Sequence, residues 1–408
     1  MVHDPGGVPA TPPTRNAGTA VGFETRPWTP LVHRDLVSRR VWEQIDRPYQ
    51  AAVPATIADL RLDLPDDLVE DVTNAQQQLV RFDTEVGSIT APFASILLRS
   101  ESASSSQIEN LTSGARAIAE AELGERADGN APLIVSNVRA MEAALEAADD
   151  LSATTIIGMH RELLHRTDPT ITGTYRTQQV WIGGGSFSPH DADFTPPHHE
   201  RVAEAMADFE AYSGRVSPLP LASIAIAHAQ FETIHPFPDG NGRTGRALVQ
   251  AALRRTGLTR SVTVPISAGI LQQRSRYFDA LDAYRDGDVD PIVRVFADGA
   301  VLAVANGRRL VDDIEATRAD WAERMAGLRS DAAAHEIAAL AIGHPVLTST
   351  LVRAEIERSG PAVFRGLDQL VERGILTETT AQNRNRLWVA QDVIRNLDGF
   401  ANRSMRTR

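Results

Sequence analysis

A chain of 408 residues, 42% hydrophobic and 23% charged, has ordinary globular composition and enough length for two or three domains. Acidic residues outnumber basic ones by 53 to 41, and the net charge of −12 disfavours nonspecific binding to nucleic acid or to an anionic membrane over the molecule as a whole. The absence of cysteine excludes disulfides, thiolate metal sites and a cysteine nucleophile. No apolar run approaches the roughly 18 residues that span a bilayer, so the chain reads as cytoplasmic, with no membrane partner.

Residues 1–27 lack apolar periodicity and read as a disordered arm. Over 28–150 the pattern is helical: VSRRVWEQI, DDLVEDVTNAQQQLVRFDTEV, FASILLRSESASSSQIENL and VSNVRAMEAALEAA, with Asp66 and Asp67 where helix caps are expected. A core over 151–307 opens with the helix TTIIGMHRELLH. The non-helical GTYRTQQVWIGGGSFSPHDADFTPP then predicts a hairpin-like flap, because Val180, Trp181 and Ile182 run into glycines and prolines close the segment. LASIAIAHAQFETI and GRALVQAALRRTG read as buried helices, followed by YFDALDAYRDGD and DPIVRVFADGAVLAVANGRRLVDDI. A charged connecting helix over 308–335 leads to helix, helix, strand, turn and strand over 336–408. That is the order of a winged helix-turn-helix. Between Leu351 and Arg386 six arginines face five acids, a faint footprint for DNA. Arg365, Arg384 and Arg386 could touch phosphates, and the same unit serves equally for protein docking or for a homodimer.

The chemistry is concentrated in His235-Pro236-Phe237-Pro238-Asp239-Gly240-Asn241-Gly242-Arg243-Thr244-Gly245-Arg246. A loop between two helices whose glycines let backbone N–H groups converge, next to a helix N-terminus, suits a di- or triphosphate; Gly240, Asn241 and Gly242 form that nest. Arg243 and Arg246, three apart, share a helical face and can neutralise outer phosphates. Asp239 can hold Mg²⁺ together with phosphate oxygens and water, and His235 can take a proton from an attacking hydroxyl. The inventory is that of phosphoryl or nucleotidyl transfer.

HPFPDGNGRTGR resembles the signature of the Fic-domain family, whose typical members are protein adenylyltransferases. The likeness extends to Ala227-His228-Ala229-Gln230-Phe231-Glu232, to Tyr175 through Gly183, and to Tyr277, Gly287 and Asp288. The resemblance implies a mainly α fold: a Fic-type helical bundle with a small β-hairpin flap, plus a C-terminal winged helix-turn-helix domain. It implies that His235 deprotonates a Ser, Thr or Tyr hydroxyl of a target protein, which attacks the α-phosphate of ATP and expels pyrophosphate. It assigns Mg²⁺ to Asp239, the α-phosphate to Asn241 and neighbouring amides, the β-phosphate to Arg243 and the γ-phosphate to Arg246, within a nucleotide-binding run that includes Thr244 and Gly245. The 175–185 flap, around Ile182 and Gly183, would register the target chain by main-chain pairing, and Tyr277 would border the adenine.

Ser105, Glu109 and Asn110 in SSSQIEN match the family's inhibitory motif. Helical spacing puts Ser105 and Glu109 on one face. The resemblance implies that Glu109 pairs with Arg246 where the γ-phosphate belongs, so the resting enzyme is autoinhibited within one chain. The alternatives are a nucleotide-sensing DNA-binding regulator, or removal of AMP by the same site. His160 and His165 have the wrong spacing for a zinc protease and are expected to flank a core face, while His198 and His199, after Pro196-Pro197, are expected to be solvated rather than metal-bound.

Overall fold

The computed structural model describes residues 17–89, 92–185, 187–379 and 386–406. Of the expected arm, residues 1–16 lie outside the described residues, and the remainder is ordered. Strand β1 (Gly22–Arg26) pairs antiparallel with β2 (Tyr49–Val53), Gly22 opposite Val53 and Arg26 opposite Tyr49. Thr19 is buried and donates its hydroxyl to Tyr284 O, and Val21 N–H donates to Arg285 O at 2.8 Å. So short a ribbon draws its order from what it lies on, which local periodicity cannot reveal. Between the strands, α1 (Arg39–Ile45) starts at Ser38, whose side chain accepts from Val41 N–H.

Helices α2 (Asp66–Gly87), α3 (Phe93–Ile108), α4 (Ala115–Glu122) and α5 (Ala131–Glu146) follow. Asp66 and Asp67 fall in the first turn of α2 rather than at its cap, which is Pro65; there they favour the positive end of the helix dipole. In α3 the run of serines is buried, because small side chains let the helix approach α5 and α10 closely; Ser100 and Ser106 return their hydroxyls to the carbonyls of Ile96 and Ser102. Next come α6 (Ala153–Leu164), α7 (Val202–Ser213), α8 (Pro220–Ile234) and α9 (Asn241–Arg255). The expected hairpin between α6 and α7 reduces to a single antiparallel bridge, Ile182 with Phe194. Glycines 183–185 and the prolines on the return limb leave little chain able to extend a ladder.

After α10 (Ile266–Leu271) and α11 (Arg274–Arg285), α12 (Asp290–Arg324) runs unbroken for 35 residues. The connecting helix expected over 308–335 is therefore not a separate element. Its first half is the end of α12, which keeps Leu310, Val311, Ile314 and Trp321 buried, and a turn then leads to α13 (Ala333–Gly343). The C-terminal unit is β3 (Val346–Thr348), α14 (Ser349–Glu355), α15 (Gly360–Glu372), β4 (Thr377–Glu378), β5 (Leu387–Val389) and α16 (Gln391–Met405), with an antiparallel sheet ordered β3-β5-β4. Arg384 lies outside the described residues, and Arg386 is spent on Glu378 rather than free for phosphate. Helix α16 was not anticipated. It docks on α12 through Asn306 Nδ2 to Ser404 Oγ at 3.0 Å and Trp321 Nε1 to Asp392 Oδ2 at 2.9 Å. One continuous apolar cluster runs from Ile57 to Phe400, so the C-terminal unit shares a core with the central bundle. A second cluster, with Phe209, Phe231, Ile234, Phe237 and Leu248, lies under the loop between α8 and α9.

Candidate active site

Helix α8 is buried almost all round and ends where His235 turns left-handed, at φ 50° and ψ 61°. The loop closes at Gly240, φ 75°, which starts α9; a side chain there would press on Leu163. Three buried side chains from elsewhere hold the loop. Asn241 accepts from Phe237 N–H and donates to Phe237 O, each at 2.8 Å. Arg176 donates Nε to His235 O at 2.9 Å and NH2 to Pro197 O at 2.5 Å, while its own N–H bonds Pro236 O. His160 donates Nε2–H to Asp239 O at 3.0 Å and stacks on Phe237, ring centroids 3.8 Å apart. The Asn241 side chain is committed to the loop, which leaves its main-chain amide for a phosphate. One expectation is corrected: buried His160 holds the loop rather than merely flanking a core face.

Helix α9 has no side-chain cap, and its first backbone bond runs from Thr244 N–H to Gly240 O. The amides of Asn241, Gly242 and Arg243 therefore stand ahead of the ladder at the positive end of the helix, a place for an anion. Glu109 stands beside that place, on the arginines. One carboxylate oxygen meets Arg243 Nε at 3.0 Å and the other Arg246 NH2 at 2.6 Å, and a Cβ at Gly242 would collide with the carboxylate. Ser105 adds its hydroxyl to Arg246 Nε at 2.8 Å and its carbonyl to NH2 at 2.9 Å. Glu109 is the C-cap of α3, and Asn110 beyond it is left-handed at φ 64°, a conformation asparagine tolerates better than most residues. Asn110 and His235 are the two non-glycine residues with positive φ among those described, one at each end of this contact.

Helix α3 is pinned in place by Glu101, one turn before Ser105. Its carboxyl is buried and accepts from Gln250 Nε2, Ser267 N–H and Ser267 Oγ. Burial pushes its pKa up to about 7 in spite of those donors. Burial holds His235 down at about 3, so the ring is neutral, with its lone pair free, though a weaker base than an exposed imidazole, and one-fifth of its side chain reaches solvent. Glu232, raised to about 7 by burial, lies 3.9 Å from both His235 Nδ1 and His228 Nε2. Tyr277 is buried, with its hydroxyl 2.8 Å from His228 Nε2. It backs the motif helix instead of facing an open pocket.

Asp239 is the exposed member, 3.4 Å from Arg243 NH2. One solvent-facing carboxylate beside an anion nest suits a hard cation that keeps most of its water. The flap stands apart. Both main-chain groups of Ile182 are used by Phe194, and Gly183 at φ 72° has no room for a side chain beside Asp193. Trp181 packs edge-on to Trp28, centroids 5.6 Å apart, and Tyr49 donates to Gln179 Oε1 at 2.8 Å.

Residues 69–148 match the model of the Fic/DOC family N-terminal and residues 150–253 that of the Fic/DOC family. The chain is 36% identical over 161 residues to a protein adenylyltransferase Fic of Drosophila melanogaster, covering 39% of this chain and 30% of that protein. It is 35% identical over 152 residues to protein adenylyltransferase fic-1 of Caenorhabditis elegans, covering 36% of this chain and 27% of the other. It thus spans less than a third of the length of these relatives. A crystal structure of a Fic family protein from Desulfovibrio desulfuricans G20 superposes with a TM-score of 0.50 at 23% identity, over 81% of this chain and 97% of that one, a likeness of fold. The matched segments carry both the His235 loop and the helix of Glu109, and over residues 69–148 and 150–253 the chain is similar to the Fic/DOC family.

Proposed function

We propose that the chain is a protein adenylyltransferase whose resting state is restrained by Glu109. One observation carries the reading: a neutral, partly exposed His235 lies beside an uncapped helix N-terminus whose two buried arginines are already holding a carboxylate. His235 would take the proton of a Ser, Thr or Tyr hydroxyl on the target, whose oxygen then attacks the α-phosphate of ATP as the bond to pyrophosphate breaks. The amides of Asn241, Gly242 and Arg243 would receive the charge gathering on that phosphate. Arg243 and Arg246 would meet the outer phosphates. Asp239 would hold Mg²⁺, which when bound neutralises phosphate charge. Since Glu109 engages both arginines, it would compete with the β- and γ-phosphates alike, and ATP would have to displace it or bind unproductively. The names of the Drosophila and Caenorhabditis relatives support the same activity.

The target would dock on the 175–185 flap. Because Phe194 already occupies Ile182, an incoming strand would pair with the residues flanking Ile182 on the opposite edge. The C-terminal unit, with α14 and α15 against a three-stranded sheet and α16 after it, supports a winged-helix reading. Incubation with labelled ATP tests the proposal: Glu109→Gly raises automodification and His235→Ala abolishes it. A Glu109→Gly chain no more active than the parent would remove the inhibitory assignment, and labelling undiminished in His235→Ala would remove the base.

A further inference from the structure

Immediately after Pro197, whose carbonyl Arg176 clasps, the chain places three consecutive metal-ligand side chains, His198, His199 and Glu200. His198 is extended and His199–Arg201 forms one 3₁₀ turn, which folds the three side chains back on one another. Their ligand atoms all lie within 4.8 Å of each other, and the two rings stand 4.1 Å apart. The Nδ1 atoms of both histidines are sealed from water, and neither makes a hydrogen bond; His198 Nδ1 lies 3.3 Å from Glu200 Oε2. Two converging imidazole nitrogens without hydrogen-bond partners are costly as they stand, and a shared Lewis acid would satisfy both.

We propose that His198, His199 and Glu200 bind a divalent transition metal of the zinc class at the root of the flap. Two imidazoles and a carboxylate match that borderline-soft chemistry, and metal–nitrogen bonds of about 2.0–2.1 Å require the donors to draw in by only about 1 Å. Glu200 is shared with Arg26 at 3.2 Å, but Arg26 also bonds Glu24 at 2.9 Å and keeps that partner when Glu200 turns to the metal. The site is connected to the catalytic loop. Contraction at His198 acts on Pro197, whose carbonyl holds the same guanidinium that donates to His235 O. Binding therefore stiffens the backbone of His235.

The test uses the full chain, freed of metal by a chelator, and needs no assay of AMP transfer, so it stands or falls apart from that reading. Zn²⁺ followed by calorimetry, and Co²⁺ followed by its visible absorption, should each bind at one equivalent. His198→Ala/His199→Ala should lose that equivalent, and Glu200→Gln should weaken it about tenfold or more. His199→Asn, which keeps a polar side chain, and circular dichroism separate loss of ligand from loss of fold. Changing His33, which sits with Asp35 elsewhere on the surface, should leave binding intact. Amide exchange over 234–237 should slow on adding Zn²⁺ to the parent but not to the double variant. No Zn²⁺ binding by the parent, or undiminished binding by a folded double variant, overturns the proposal.

Discussion

The loop from His235 to Gly240 and the flap from Tyr175 to Gly185 lie side by side but are held by opposite means. Every turn of the loop is fixed by a buried side chain brought from outside it, Asn241, Arg176 or His160. The flap is anchored at its root by buried Arg176 and by Gln179, but its tip has one backbone bridge, Ile182 with Phe194. Over-determination permits the strained backbone at His235, which costs of order 1–3 kcal/mol and persists only where the surroundings insist on it. On the proposed function, the tightly held loop would position the reacting atoms and the tip of the flap would receive the target chain.

Five substitutions break or sharpen that contrast, beginning with the largest expected effect. His235→Ala should lower single-turnover AMP transfer by about a hundredfold to ten-thousandfold, the usual worth of a positioned general base. Glu109→Gly should raise automodification about 5–150-fold, the range of coupling free energies near 1–3 kcal/mol. The same substitution leaves two buried arginines without their carboxylate, so the nucleotide-free variant should lose on the order of 1–2 kcal/mol in a denaturant titration and regain it as ATP is added. Retention of full stability without nucleotide would mean that the Glu109 contacts are weaker than their geometry implies.

Glu101 should impose a pH dependence on folding. Its folded-state pKa is raised from 4.5 to about 7, so the native state binds the extra proton between those values. The stabilisation is complete below the lower value and fades as pH rises through the upper one, a fall of up to about 3 kcal/mol that Glu101→Gln should flatten. Asn241→Ala should cost about 1–3 kcal/mol, because it strands the N–H and carbonyl of Phe237, and should lower kcat with little change in KM for ATP. The smallest effect belongs to the flap. Trp28→Ala removes an edge-on aromatic contact worth about 0.5–1.5 kcal/mol and should raise KM for a protein acceptor less than about tenfold, leaving KM for ATP unchanged. A change in the ATP constant would show the flap to be part of the nucleotide site after all.

What could be read in the sequence follows the same division. The loop is legible because its base, its carboxylate, its glycines and its arginines are contiguous, whereas Glu109 is singled out by resemblance to the family's inhibitory motif, spacing adding only that it shares a face with Ser105. Arg176, His160 and Glu101 were not assigned their parts, since each acts across more than 50 residues of chain and carries no local signal of its partner. The contacts of Asn241 with Phe237 and of Tyr277 with His228 leave no trace in the sequence, because composition does not say which way a buried side chain is turned. Helix α12 was divided at a change in surface charge although its apolar period continued through Ile314 and Trp321. The ordered strand at Gly22–Arg26 gave no periodicity to detect, whereas α16 did, with Val393, Ile394, Leu397 and Phe400 at helical spacing.

The unbroken α12 also sets a rule for rebuilding the molecule. At about 1.5 Å and 100° per residue, its 35 residues make a rod about 52 Å long that fixes both reach and angle between the bundle and the C-terminal unit. Inserting one residue near its middle would swing everything downstream by about 100°, tearing Asn306 from Ser404 on the far side of the insertion. Inserting seven would restore the phase to within about 20° while lengthening the rod by about 10 Å. The C-terminal unit is thus mounted as a gear on a shaft, and chimeras that exchange it will work only in whole turns.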